Sequence, residues 1–252
     1  MAKAFASDFD GTLWFSGEQD HVRSCDLEAI SRFRSEGNLF GVASGRSLRG
    51  ITLEVGDLLD FDFYILATGA LVLDGNKEPI CKKCVHPELV QQIYDSYQPR
   101  AEIVIHGNDT VYSFGDPLPM QTHIDAIEEI GPDIYGLSMW VGNPENAIAV
   151  AEEINRDFGD SVSAYANRSN VDVAPAGCSK GRAVELLKQH FKTSCIAAIG
   201  DSFNDVPMLE SADISFTFNR SPQDVRERAG NVVDTVADAI SIVENLDQEL
   251  FR

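Results

Sequence analysis

Short apolar runs alternate with longer amphipathic stretches from the first residues onward: AKAFAS, LEAISRFRSEG, LFGVAS, LRGITLEVGDLL, FYILAT. Apolar runs this short suit strands buried on both faces, and the stretches between them carry helical spacing. Such alternation marks β-α-β units and a parallel sheet. It returns late in the chain, where GRAVELLKQHF reads as a helix, CIAAIG as a buried strand and VPMLESA as another helix. The expected fold class is α/β, a Rossmann-like parallel-sheet core with helices on both faces, built from residues 1–79 and 176–252.

Residues 80–175 have a different rhythm. HPELVQQIYDSY, THIDAIEEI and PENAIAVAEEINRDF read as helices; AEIVIHG, VYSFG, LSMWVG, SVSAYA and NVDVAP read as strands. The four-residue loop GNDT between two of those strands suits an antiparallel hairpin. A smaller α+β unit inserted into the first is therefore expected. With 252 residues, 44% of them hydrophobic, the chain can build both cores.

Four core runs end in a small or polar residue on their C-terminal side: AFAS leads into Asp8, LFGVA into Ser44, FYILA into Thr68 and IAAIG into Asp201. Ligands of open parallel sheets bind in the crevice beyond the carboxyl ends of the strands, so these four residues are expected to share one pocket. Asp8 and Asp10 are one strand period apart, and an extended backbone would aim both to one side. Like charges a few ångströms apart repel by ~1–4 kcal/mol, and Asp201 adds a third. Either a proton is retained or a cation sits among them. A hard divalent ion such as Mg²⁺ takes oxygen ligands and keeps positions that phosphate oxygens can fill.

Each piece has a plainer reading when taken alone. Asp10-Gly11 suits a turn, and Ser44 suits a helix N-cap, although Gly45 beside it permits close approach of an anion to free N–H groups. Lys180 is less easily explained, since a cation at the start of a helix opposes the macrodipole unless an anion lies in front of it. In GDSFNDVPMLES, capping accounts for Asn204 or Asp205 but not for a carboxylate, Asp201, at the mouth of a buried strand.

Forty acidic against 20 basic residues give a formal net charge of -20. That field repels nucleic acid and anionic lipid surfaces, so neither is an expected partner. A small anionic substrate has to be held by local cations. No run approaches the ~20 apolar residues of a membrane span, and no signal-peptide pattern opens the chain, so the expected compartment is the cytoplasm. Five scattered cysteines read as reduced thiols. The Cys81/Cys84 pair lacks the further ligands a zinc site needs, and the five histidines and Trp140 show no spacing of a site. Oligomeric state is not legible.

Taken together and in order, DFDGT, SGR, the SK before a helix and GDSFND resemble the four motifs of the haloacid dehalogenase superfamily, and the insertion resembles the α/β cap of its Cof-type sugar-phosphatase branch. The resemblance implies a phosphatase acting on a small phosphorylated metabolite, a sugar phosphate. In that scheme Asp8 is the nucleophile and Asp10 the general acid and base. Mg²⁺ is held by Asp8, the Asp10 carbonyl and Asp201; Ser44, Gly45, Lys180 and Asn204 bind the phosphoryl group; and Asp205 supports the metal or Lys180 from behind. It also implies that specificity resides in the insertion, with 106–116 and Asn167-Arg168-Ser169 as candidate contacts. Thr68-Gly69 and the segment ISFTFNRSPQDV depart from the branch's usual pattern. A sugar phosphomutase, or a regulatory protein that keeps the motifs without turnover, is the competing reading.

Overall fold

The computed structural model describes residues 2–118 and 120–249. In chain order its regular elements begin with β1 (Lys3–Asp8), α1 (Ser24–Ser35), β2 (Leu39–Ala43), α2 (Leu48–Val55), β3 (Phe63–Leu66), β4 (Leu71–Asp74) and β5 (Pro79–Lys82). Next come α3 (Pro87–Tyr97), β6 (Glu102–Gly107), β7 (Thr110–Ser113), β8 (Gln121–His123), β9 (Ile134–Trp140), α4 (Pro144–Phe158), β10 (Val162–Asn167) and β11 (Asn170–Pro175). The chain closes with α5 (Lys180–Phe191), β12 (Cys195–Ile199), α6 (Val206–Ser211), β13 (Ile214–Phe218), α7 (Gln223–Arg228), β14 (Asn231–Val233) and α8 (Val236–Glu249).

The larger sheet runs β14-β13-β12-β1-β2-β3-β4-β5. It is parallel from β14 to β3 and ends in an antiparallel hairpin edge. β1 is sandwiched between β12 and β2, and its side chains alternate: Phe5 packs with Phe33, Phe40 and Phe216 on one face, while Ala4 and Ala6 pack with Val184 and Leu187 of α5 on the other. Both faces are thus covered, which is why the strand reads as continuously apolar. Because β1 pairs with β2 on one side and with the late strand β12 on the other, its carboxyl end lies at the switch point of the sheet.

Residues 80–82, grouped by the sequence with the insertion, instead pair with β4 in the larger sheet (Leu71↔Lys82, Val72↔Cys81). Asp74 Oδ1 closes that hairpin by accepting from the N–H groups of Asn76 and Glu78. The smaller sheet runs β10-β11-β9-β6-β7-β8. One of its faces, with Ile103, Ile105, Leu137, Met139, Val171 and Val173, buries against α3 and α4. Period-2 alternation puts His106, Ser138 and Asp172 on the opposite face.

The helix expected over THIDAIEEI does not form. Gln121–His123 pairs with β7, and only Ile127–Ile130 makes a single 3₁₀ turn. Glu129 Oε1 accepts from the N–H groups of Asp125 and Ala126, which fixes a tight turn, and Ile127 and Ile130 are the residues it buries. No helix among the described residues is long and apolar enough to cross a membrane.

Candidate active site

Asp8 ends β1 and is nearly inaccessible, at 6% exposure. Lys180 opens α5, whose N-cap Ser179 accepts from the Arg182 N–H at 3.0 Å. The Lys180 side chain is wholly buried, and its ammonium donates to Asp8 Oδ1 at 2.7 Å and to Asp205 Oδ1 at 2.6 Å. Burial alone would lower the ammonium's pKa, but Asp205 and Asp8 together more than reverse that and hold it firmly protonated. Lys180 is thus an internal cation between two carboxylates, which explains its place against the helix dipole.

Asp205 spends its second oxygen on the backbone of its own loop, accepting from Asp201 N at 2.9 Å and Ser202 N at 3.0 Å. Gly200 makes this possible, because a Cβ there would stand 2.5 Å from Asp205 Cγ. Oxygens of Asp8, Asp201 and Asp205 all lie within 4.8 Å of one another. Burial and then Asp205 push Asp8 up to about 7 against the pull of Lys180. Burial likewise raises Asp201, with Asp8 adding to the shift and Arg168 opposing it. The cluster carries more negative charge than Lys180 neutralises.

Asp10 has left the strand. Its carboxylate is clasped by Arg46, with Nε to Oδ2 and Nη2 to Oδ1 both 2.8 Å, while the guanidinium stands 5.3 Å from the Phe9 ring. The carbonyl of Asp10 points elsewhere: Arg168 Nη2, reaching across from the β10–β11 turn, donates to it at 2.9 Å and to Asp201 Oδ2 at 2.7 Å. Two acceptor oxygens therefore converge on one cationic nitrogen beside Asp8. With both Asp205 oxygens already engaged, the donors left for a hard divalent ion are Asp8, the Asp10 carbonyl and Asp201, and a set of two carboxylates and a carbonyl fits Mg²⁺.

Ser44 follows β2 but does not cap α2; that role belongs to Ser47, which accepts from Gly50 N at 3.2 Å. The Ser44 hydroxyl accepts from Arg46 N at 3.1 Å and borders a cavity of about 230 Å³ together with Asp8, Asp10 and Gly45. The smaller sheet forms the opposite wall. There His106 Nε2 lies 2.8 Å from Ser138 Oγ, which donates to Asp172 Oδ1 at 2.7 Å. Asp172 Oδ2 also accepts from Asn167 at 3.1 Å and Asn204 at 3.4 Å, and it would stand 2.8 Å from a Cβ placed on Gly45. Buried Asn204 keeps an unpartnered Oδ1. Burial lowers the His106 pKa despite Asp172, so the ring is neutral.

The structure thus brings Asp8, Asp10, Ser44, Gly45, Lys180, Asp201, Asn204 and Asp205 to the carboxyl ends of β1, β2 and β12 and the start of α5. Thr68 stays behind the cavity, with φ of 56° and its N–H donating to Ser44 O at 3.2 Å. Three participants carried no sequence-level assignment, Arg46, Ser138 and Asp172, while His106 opens the 106–116 stretch expected to hold substrate contacts. Arg46 stands inside SGR itself. Asp172 is the one charge in the strand NVDVAP, where period-2 reading sets it on the face opposite Val171 and Val173.

Residues 5–246 match the family described as haloacid dehalogenase-like hydrolase. The HMP-PP phosphatase of Citrobacter koseri is 24% identical over 243 residues, covering 90% of this chain and 88% of that protein. A 5-amino-6-(5-phospho-D-ribitylamino)uracil phosphatase of Bacillus subtilis is 22% identical over 235 residues, covering 92% and 90%. Among solved structures, a haloacid dehalogenase-like hydrolase from B. subtilis has a TM-score of 0.82 at 17% identity, covering 96% of this chain and 99% of that one. The subclass IIB sugar phosphatase BT4131 has a TM-score of 0.78 at 20% identity, covering 96% and 99%.

Proposed function

Because the chain belongs to the haloacid dehalogenase-like hydrolase family, we propose that it is a Mg²⁺-dependent phosphatase that hydrolyses a small phosphorylated metabolite, a sugar phosphate, through an aspartyl-phosphate on Asp8. The observation that carries this is the convergence of the Asp10 carbonyl and Asp201 on one cationic point beside a buried, lysine-tethered Asp8. Phosphatases among the relatives support the reaction class.

An Asp8 oxygen bonds to phosphorus as the bond from phosphorus to the leaving oxygen breaks, and Asp10 protonates that oxygen. Asp10 then takes a proton from water, whose oxygen attacks phosphorus and frees Asp8. Arg46 fixes the Asp10 carboxylate by its two-pronged grip. Lys180 orients Asp8, while Ser44, the Gly45 N–H and Asn204 receive phosphoryl oxygens. Mg²⁺, held by Asp8, the Asp10 carbonyl and Asp201, would supply charge neutralisation for the attacking carboxylate and the transferred group. Asp205 holds Lys180 and the Asp201 loop. The inserted unit is the cap, and its polar face roofs the site and excludes bulk water during transfer. All five cysteines are thiols, which suits the cytoplasm.

The test is a screen of phosphorylated metabolites with Mg²⁺, comparing the parent with Asp8→Asn. Phosphate release by the parent, its loss in the variant, and abolition by EDTA with recovery on added Mg²⁺ are expected. Undiminished release from purified Asp8→Asn removes the nucleophile assignment, and isomerised sugar phosphate without free phosphate identifies a mutase instead.

A further inference from the structure

A second cavity, of about 540 Å³, is bordered by Arg168, Gly11 and Asp201. It brings together three guanidiniums, Arg23, Arg168 and Arg220, from three separate parts of the chain. Arg168 is occupied by Asp10 O and Asp201. Arg23 and Arg220 make no salt bridge among the described residues: Arg23 donates to the Asp234 carbonyl at 3.1 Å and Arg220 to the Gly11 carbonyl at 2.5 Å, and the buried Asp26 acts on both only from a distance. In a chain with twice as many acidic as basic side chains, two such arginines in one cavity are unexpected.

They are held ready by aromatic faces instead of by charge. Arg23 lies 4.5 Å from the Phe15 ring centroid; Arg220 lies 5.7 Å from the same ring and 3.7 Å from that of Phe218. Stacking fixes the guanidiniums without using their donors. Burial lowers the pKa of Arg220; Asp201 and, more weakly, Asp26 oppose it, while Arg23 and Arg168 add to the lowering. The single carboxylate of the lining outside the metal donors is Glu18, on the exposed turn before α1.

We propose that Arg23 and Arg220 form a second oxyanion subsite, so that the substrate is a phosphomonoester whose leaving group carries its own carboxylate or phosphate. This rests on the phosphatase reading, because Asp201 joins the cavity to Asp8 with carboxylate oxygens no more than 4.8 Å apart. The phosphoryl group to be transferred sits at Asp8, the carbon chain crosses between Ile148 and Phe203, and the distal anion meets the two guanidiniums.

Binding is measured by calorimetry with Mg²⁺ on the Asp8→Asn protein, which holds ligands without turnover. The probes are two matched pairs, 6-phosphogluconate against sorbitol 6-phosphate and fructose 1,6-bisphosphate against fructose 6-phosphate. The doubly anionic member of at least one pair is expected to bind roughly tenfold tighter or more; the pair that shows it separates a carboxylate from a phosphate. Adding Arg23→Gln and Arg220→Gln should bring that ratio to about one, while Arg100→Gln with Arg156→Gln, an equal loss of charge on α4 and after α3, should leave it. Equal affinities within both pairs, a ratio that survives the cavity substitutions, or binding of none of the four overturns the subsite. Phosphate release by the parent is followed separately: an intact ratio without turnover discards the phosphatase reading and keeps the subsite.

Discussion

Replacing Lys180 with Met keeps the volume of the buried side chain but removes the one cation between Asp8 and Asp205. Both contacts are short, 2.7 and 2.6 Å, and the ammonium is inaccessible to solvent. Removing one partner of a buried pair costs about 3–5 kcal/mol because the other charge is left uncompensated. Here the cost depends on pH. Burial and then Asp205 hold Asp8 up at about 7 in the fold, well above the ordinary carboxylate range. A carboxylate whose folded-state pKa is raised contributes stability that is complete below its unfolded pKa and is lost as pH climbs through the folded value. Near pH 8 the parent holds Asp8 charged against Lys180, whereas the variant must either keep two uncompensated carboxylates or take up a proton between them, and the full loss of about 3–5 kcal/mol is expected. Near pH 5 Asp8 already carries a proton in the parent, only the Asp205 pair is broken, and the loss falls to roughly half. Urea denaturation in the presence of EDTA, at both pH values, measures the difference. Adding Asp205→Asn to Lys180→Met should recover much of the loss. A loss independent of pH, or below about 1 kcal/mol near pH 8, would refute the placement of Lys180 as the cluster's internal counter-ion.

Two further outcomes follow from the geometry. Arg168→Ala frees the Asp10 carbonyl and Asp201; as the guanidinium side chain is 53% exposed, its grip is worth only about 1 kcal/mol, and Mg²⁺ should bind roughly fivefold tighter in calorimetry without substrate. Unchanged or weaker Mg²⁺ binding would show that Arg168 does not stand where the ion goes. Gly136, with φ of 149°, lies where a Cβ would overlap the Val173 carbonyl oxygen, so Gly136→Ala should lower stability by about 2–4 kcal/mol in thermal melts. Gly115→Ala, in open space, should be within about 0.5 kcal/mol of the parent, and equal effects at the two sites would contradict the close strand approach.

The core was legible because its strands are buried on both faces: AFAS and IAAIG have no other reading once they are too short for helices. The acidic residues after them were legible for the same reason, since a carboxylate following such a run has to find a partner at the sheet's edge. Regions whose order depends on side chains from elsewhere were not. THIDAIEEI has the composition of a helix, yet one Glu129 carboxylate closing on two N–H groups turns it into a strand and a tight turn. LVLD and PICK carry strand propensity without any mark of which sheet they join. Asp10 illustrates the deeper gap: strand periodicity pairs its side chain with Asp8, whereas Arg46, thirty-six residues later, draws it away and leaves only the carbonyl beside Asp201.

The charge of the whole and the charge of the site point in opposite directions, and the distance scale reconciles them. A net charge of -20 acts on a long polyanion along its whole length, but at physiological salt its reach beyond roughly 8 Å is screened. A small phosphoester that has come within a few ångströms of Asp8 feels instead Lys180 below it, Arg46 at Asp10, and Arg23, Arg168 and Arg220 at the larger cavity. The acidic surface therefore opposes a polyanion, while the buried and stacked cations set a local field that suits a small anion. Arg168 joins the two scales, because it belongs to the inserted unit and, among the described residues, its guanidinium bonds to core oxygens that a divalent ion would also claim.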